Sequence, residues 1–341
     1  MLFRSDETTS PLGSSYLTLT VGAKGSAKAS GVLADGNTWS LATTLIGLDP
    51  DSEDDAEAAA GAADVYICAT PSAYSGQGGF CGRLRITAGA THYDNVVTCP
   101  DSSGTLQWWN AKPTCVYGAT GATASDSSGF LNAVTPAGGY YDSVMNLQTF
   151  YLYKSLTFQD SPLETAPGTA MIDRIPTDYD GRDGTSGYEI LTAEEGLLPF
   201  GTALAVGAKT LTAAPSHVTY FETDLSTMSL IDNIDFSEST NASGLSLSLT
   251  RATGLLSGSF NLFYETTDDE GAYVRYTRKV AVKGIYAPAR LREEDEDPSA
   301  GTQGAGFYLI PDSGTYSNDA GKSVSYLFNW SFAFDLLAEQ E

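Results

Sequence analysis

Basic residues are scarce in this chain: 18 Lys and Arg stand against 42 Asp and Glu, a formal charge of −24 at neutral pH. Nucleic-acid affinity comes from Lys and Arg displacing counterions from phosphates. The balance therefore excludes nucleic acid as a partner and disfavours an anionic lipid surface. Charge of this sign keeps a protein soluble and self-repelling, and its functional alternative is cation binding. Long apolar runs are missing too. No stretch approaches the ~18 apolar residues of a membrane helix, so no membrane insertion is expected. The opening Met1-Leu2-Phe3-Arg4-Ser5-Asp6 is too short and too polar for an apolar targeting core. If exported, the chain is then expected to be a processed form or the C-terminal part of a longer polypeptide.

Catalytic signatures are equally thin. Only two histidines occur, His92 and His217, and neither has a nucleophile-elbow or zinc-ligand setting. GxSxG, HExxH and P-loop strings are absent. Two Gly-rich strings, Gly76-Gln77-Gly78-Gly79 and Gly301 to Gly306, run into strand-like residues. A phosphate cradle needs a following helix whose amides face the anion, so these strings read as turns or bulges. Acids are plentiful, but glycoside hydrolysis needs a carboxylate pair at ~5 or ~9 Å, a distance no sequence supplies. The expectation is a protein that is not an enzyme and carries no cofactor.

What the chain does hold is glycine and aromatics, with 35 Gly, 19 Tyr and 14 Phe. Gly supplies positive φ in tight turns, and Thr and the aromatics fit a pleated surface. All four cysteines, Cys68, Cys81, Cys99 and Cys115, fall in one 48-residue stretch without CxxC spacing. An even, clustered count reads as two disulfides with three pairings open. Cys68–Cys81 and Cys99–Cys115 are preferred, because a turn-rich segment separates each pair. Disulfides imply an oxidising compartment, hence an extracellular or cell-surface location.

Tyr16-Leu17-Thr18-Leu19-Thr20-Val21 alternates apolar and polar with period two. A turn at 22–25, a strand at 26–34, an Asp35-Gly36 hairpin turn of type I′ and a strand at 37–48 complete a meander. Residues 118–139, rich in Gly, Ala, Ser and Thr, read as a loop. Strand grammar returns from Val218 onward. The fold class is all-β: two related antiparallel meanders closed as a barrel or packed as a sandwich, with irregular loop insertions. The expected division is a flexible tail at 1–13, a first meander half at 14–158, an irregular connection at 159–217 and a second half at 218–338.

The two halves echo each other. Leu17-Thr18-Leu19-Thr20-Val21 leads to Gly25 and Ser30-Gly31, and Leu245-Ser246-Leu247-Ser248-Leu249 leads to Gly254 and Ser257-Gly258. Gln77-Gly78-Gly79-Phe80 is matched by Gln303-Gly304-Ala305-Gly306-Phe307. Similarity in the same order suggests an ancestral duplication.

These residues also carry a resemblance. The stretch from Leu17 to Gly36, then Gly76 to Phe80, Gly104 to Pro113, Ala252 to Phe260, Lys283-Gly284-Ile285 and Gly304 to Leu309 is similar to the β-rich C-terminal unit of very large exported proteins of Verrucomicrobia, Kiritimatiellae and Planctomycetes. The resemblance covers roughly two-thirds of the chain, and Thr-Gly-Leu-x-Ser-Gly-Ser-Phe is its most specific string. The chain departs from it in its cysteines and in the acidic runs 49–57 and 293–297. It implies a bacterial exterior, attachment to larger modular proteins and a structural or interaction role; it supplies no catalytic residues to carry over and does not imply a ligand.

Two weak sites complete the reading. Asp178, Asp180 and Asp183 on a Gly-containing loop, with Glu189 at the twelfth position, supply the closely spaced oxygens calcium takes. Arg182 and Asp183 break the EF-hand pattern, so a solvated loop is the competing reading. Adjacent Trp108 and Trp109 on one strand point to opposite faces, and an exposed one would stack on a sugar or sit in an interface. The expected partners are therefore further copies of the chain or a surface protein, with a glycan or calcium-dependent adhesion as the alternative.

Overall fold

Period-two alternation places one side chain in the interior and the next outside, and the described chain is built almost wholly on that rule. The computed structural model describes residues 2–5, 11, 13–49, 51, 61–90, 95–100, 105–111, 130–143, 155–160, 187–190, 202–206, 210–213, 220–223, 246–267, 273–287, 302–317 and 321–338. The first ladder runs β1 (Leu2–Ser5), β2 (Ser15–Val21), β3 (Ser26–Val32), β4 (Thr38–Gly47), β5 (Ala63–Ala69), β6 (Gly78–Thr87), β7 (Val96–Thr98), β8 (Leu106–Asn110) and β9 (Phe130–Gly139). Strands β1 to β6 pair in sequence, all antiparallel. Strand β6 then pairs β8 at one end and β7 at the other. Both of these pair β9, and β9 pairs β1, so the ladder closes on itself.

The β1–β2 pairing is short. Strand β1 meets β2 only at Leu2↔Tyr16 and Phe3↔Ser15, whereas β2 continues to Val21. Beyond Tyr16 no described strand lies on the side of β2 away from β3.

The second ladder comprises β10 (Ser155–Asp160), β12 (Thr202–Val206), β13 (Thr210–Ala213), β15 (Ser246–Thr250), β16 (Leu255–Thr267), β17 (Tyr273–Tyr286), β18 (Thr302–Ser317) and β19 (Ser323–Ala338). It forms a closed barrel, because β10 pairs both β12 and β19. Two further strands, β11 (Gly187–Ile190) and β14 (Tyr220–Thr223), form a separate ribbon. The β17–β18 pairing stops at Ala281↔Leu309, while β18 and β19 stay paired out to Ser317↔Ser323. Pro311 stands two residues past that stop and has no amide to donate.

Inside the first ladder lie Leu17, Ala29, Trp39, Val65, Ile67, Phe80, Leu84, Leu106, Trp108 and Val134, all buried. Inside the second, a trough of glycines receives a ring. Gly284 pairs Gly306, and Gly306 pairs Phe334. A Cβ on either glycine would lie 2.8 Å from the Phe334 ring, so the aromatic fills the space both side chains leave.

The paired hairpins share their geometry. Leu17 faces Gly31 as Leu247 faces Gly258, and Thr18 faces Ser30 as Ser248 faces Ser257. The facing hydroxyls are 3.2 Å apart in the first hairpin and 3.4 Å in the second. Each glycine is required by close backbone approach: a Cβ would meet the Tyr16 carbonyl at 2.3 Å or the Ser246 carbonyl at 1.9 Å. The other echo does not align in this way. Phe80 lies on the fifth strand counted from β2, and Phe307 lies on the fourth counted from β15.

Several expectations are corrected. Leu2–Ser5, expected in a flexible tail, is a strand that closes the first ladder. Residues 130–139, expected as loop, form β9: Phe130, Asn132, Val134, Pro136 and Gly138 turn inward in strict alternation despite their mixed chemistry. Residues 155–158 belong to the second ladder rather than the first half. Strands β12 and β13, inside the expected irregular connection, also belong to the second ladder. The Asp35-Gly36 turn is not type I′, which needs positive φ at both residues. Only Gly36 has it (φ 88°), with the Gly36 amide donating to the Leu33 carbonyl at 2.8 Å and the Leu33 amide to the Asn37 carbonyl at 2.9 Å. That is a three-residue loop closed by a glycine bulge. The 22–25 turn has the same bonds and a Gly25 φ of 77°.

Candidate functional site

Three buried polar side chains of the first ladder are tied to one another. Trp108 sits inside on β8, and its Nε1–H donates to the Tyr74 hydroxyl at 2.9 Å. Tyr74 comes from a short 3-10 turn, Ser72–Tyr74, which Pro71 precedes and after which Ser75 takes a left-handed φ of 50°. Its hydroxyl donates in turn to Asp35 Oδ2, a buried carboxylate in the β3–β4 turn. Asp35 also accepts from the Asn37 amide at 3.0 Å and from Asn37 Nδ2 at 2.9 Å. Indole, phenol, carboxylate and turn thus form one chain of bonds. A carboxylate so satisfied holds a loop in place.

A second buried acid is Asp64 on the outer face of β5. Arg85 reaches it with Nε at 2.9 Å and Nη2 at 3.1 Å, and Arg83 with Nη1 at 3.3 Å. Two guanidinium groups from β6 lie over one carboxylate. Elsewhere in the interior, Trp39 Nε1 and both amide atoms of Asn132 are buried without a hydrogen-bond partner.

Cys68 and Cys81 form a disulfide, as the sequence led us to expect. They stand directly opposite in the β5–β6 ladder, with Cα atoms 4.2 Å apart. The Cys99 thiol donates to the Thr105 carbonyl at 3.2 Å, and its expected partner Cys115 lies outside the described residues. So do Asp178, Asp180, Asp183, His92 and His217. Glu189 is on β11, opposite Phe221 of β14.

Trp108 and Trp109 divide between the two faces of β8. Trp108 is packed inside against Phe130, edge to face at 5.0 Å. Trp109 is half-buried, its ring lying where a Cβ on Gly79 would be, 2.8 Å away.

A surface concavity that sequence reasoning missed lies on the outer face of the second ladder. Ser246, Ser248, Ser257 and Ser259, with Lys279 and Ala281, line a space of about 540 Å³. The signal was present: Leu247 and Leu249 turn inward, so the serines that alternate with them must share the outer face.

The two ladders meet around β2. The Ser14 amide donates to the Gly306 carbonyl at 3.1 Å. The Ala34 amide donates to Ser15 Oγ at 2.8 Å, and Ser331 Oγ donates to the Ala34 carbonyl. Tyr16 stacks on Phe307, and Leu33 and Ala34 share one buried cluster with Ile285 and Ala305. Burial pushes the Tyr16 phenol up to about 12. A second tie joins the Tyr141 hydroxyl to the Arg251 carbonyl at 2.8 Å. Burial raises the Tyr141 phenol as well.

No family model, curated protein or solved structure matches the chain.

Proposed function

We propose that the chain is a non-enzymatic structural and interaction module of a bacterial cell surface, acting outside the cell and associating with copies of itself or with surface partners. One observation carries this reading. The described buried carboxylates, Asp35 and Asp64, are each engaged by neighbouring side chains that fix a turn or a ladder. The Cys68–Cys81 disulfide fits an oxidising compartment, and the resemblance to units of exported proteins supports the bacterial exterior. Size-exclusion chromatography with light scattering on non-reduced protein, in calcium and in EDTA, tests it. Self-association that EDTA leaves unchanged is the expected result. A monomer at every concentration that also captures no surface protein would overturn it.

The serine-lined concavity favours a second reading, a carbohydrate-binding module. Hydroxyls and one ammonium group on an open surface suit a polyol, and neither Trp108 nor Trp109 is among the lining residues. Glycan-array binding lost in Lys279→Ala is its expected signature, and an array without signal removes it.

A further inference from the structure

The serine-lined concavity on the second ladder has a shape and a charge that narrow its ligand. Leu247, Leu249, Leu256, Phe260, Val280 and Val282 are buried, so the residues alternating with them on β15, β16 and β17 turn outward. Register sets these in two rows. Ser246 faces Ser259 and Ser259 faces Ala281, while Ser248 faces Ser257 and Ser257 faces Lys283. The three small side chains of the first row make a low floor. Lys279 and Lys283 stand on either side of Ala281 on the same face of β17, so two long side chains flank that floor. The result is the space of about 540 Å³, within the size range of small-ligand sites.

The polar groups around this space are largely uncommitted. Ser248 Oγ donates to the Ser257 carbonyl at 3.3 Å. Among the described residues, the Ser246 and Ser259 hydroxyls have no hydrogen-bond partner, and neither Lys279 nor Lys283 has an ion-pair partner. No carboxylate is among the described lining residues, in a chain with 42 acids against 18 bases. Two ammonium groups that meet no acid of their own chain can take one from outside.

We infer that the concavity binds a glycan through one acidic sugar residue, with the sugar hydroxyls on the serines and the anionic group on Lys279, Lys283 standing across the floor. This rests on the carbohydrate-binding reading above and narrows it. A serine hydroxyl donates one hydrogen and accepts others, as a sugar hydroxyl does. The anionic group takes charge-assisted bonds, roughly twice as strong as neutral ones. The net charge of −24 repels a polyanion at long range. The fit is therefore a single acid in an otherwise neutral glycan rather than a uniformly charged polymer. Carboxylate and sulfate ester share this chemistry.

The test titrates the whole chain calorimetrically with three forms of one short glucan: ended by glucuronate, by glucose, or by a sulfate ester of that glucose. Tighter binding of an acidic form than of the neutral one is expected, and the tighter acid names the source of the charge. Lys279→Gln keeps a donor and removes the charge. It should weaken the acidic form about fivefold, the range of one exposed ion pair, and leave the neutral form unchanged. Lys28→Gln changes an exposed lysine on the outer face of the first hairpin and should alter neither. Ser259→Val fills the floor and should weaken all three forms, with circular dichroism unchanged. Equal affinity for the three forms, or an equal loss in Lys28→Gln, overturns the acidic-sugar assignment and leaves glycan binding standing. Binding unchanged in both Ser259→Val and Lys279→Gln overturns the concavity as the site. No binding of any form overturns the carbohydrate reading as well.

Discussion

The rings of Tyr16 and Phe307 stack across the joint between the two ladders, with centroids 6.3 Å apart and planes 27° from parallel. Tyr16 lies on the outer face of the first ladder and Phe307 on the outer face of the second. Each would be a surface aromatic if its ladder stood alone. Together with Ile285, Ala305, Leu33 and Ala34 they make the joint part of the core.

This burial gives Tyr16 a pH signature. Its phenol is pushed up to about 12, against about 10 in an unfolded chain. Below pH 10 both states hold the proton, and the stability is fully present. Between pH 10 and 12 the unfolded chain ionises first, so stability falls with rising pH. Urea titrations from pH 9 to pH 11.5 should show a shallower alkaline loss in Tyr16→Phe than in the parent. Equal slopes would contradict the burial.

Tyr74 stands between two buried groups, and removing its hydroxyl takes the acceptor from Trp108 and one donor from Asp35. Tyr74→Phe leaves Trp108 Nε1 and one contact of Asp35 unmet, at a cost of about 1–3 kcal/mol. The measurement is the urea midpoint, with the Trp fluorescence maximum as a local report on Trp108. An unchanged midpoint would show that the bonds carry no net stability.

Asp64 is the second such case. Asp64→Ala takes the charge-assisted bonds from Arg83 and Arg85, which stay partly open to water, and should cost about 1–3 kcal/mol. The double change of both arginines to Met should recover part of the loss. Thermal melts of the three proteins distinguish a pair that stabilises from one that only avoids a penalty.

The close glycines give a graded series. Gly31→Ala and Gly258→Ala push a methyl into a carbonyl, at 2.3 Å and 1.9 Å, while a Cβ on Gly47 meets nothing within 4 Å. Losses of about 2 kcal/mol or more are expected for the first two and none for the third, read from denaturant midpoints. Similar losses at Gly31 and Gly258 would fit their equivalent places in the two hairpins.

Reducing the Cys68–Cys81 bond reopens a loop of 13 residues, worth about 3 kcal/mol. Peptide mapping without reductant should recover the 68–81 linkage, and the melting point should drop in reductant. No drop would place its role in chemistry rather than stability.

The sequence made some of this architecture legible and hid the rest for physical reasons. Leu17 to Val21 alternates cleanly, so the β2–β3 hairpin and its counterpart at 246–258 could be read directly. Cys68 and Cys81 flank a Pro- and Gly-rich turn, which made their pairing readable. Strand β9 was hidden because Asn132, Pro136 and Gly138 fill inward places usually held by branched apolar residues. Strand β1 was hidden because four residues give no period to count. The Trp108–Tyr74–Asp35 chain joins residues 34 and 39 positions apart, and only the fold brings those together. The joint was hidden for the same reason: Tyr16 has outward parity in its own strand.

A structural module of this design should act as one body, and the calorimetric unfolding of the whole non-reduced chain tests that most directly. The account predicts a single transition whose calorimetric and van't Hoff enthalpies agree, and which splits or broadens in Tyr16→Ala as the joint is lost. Two well-separated transitions in the parent, unmoved by Tyr16→Ala, would contradict it, since the ladders would then be independent units that merely touch.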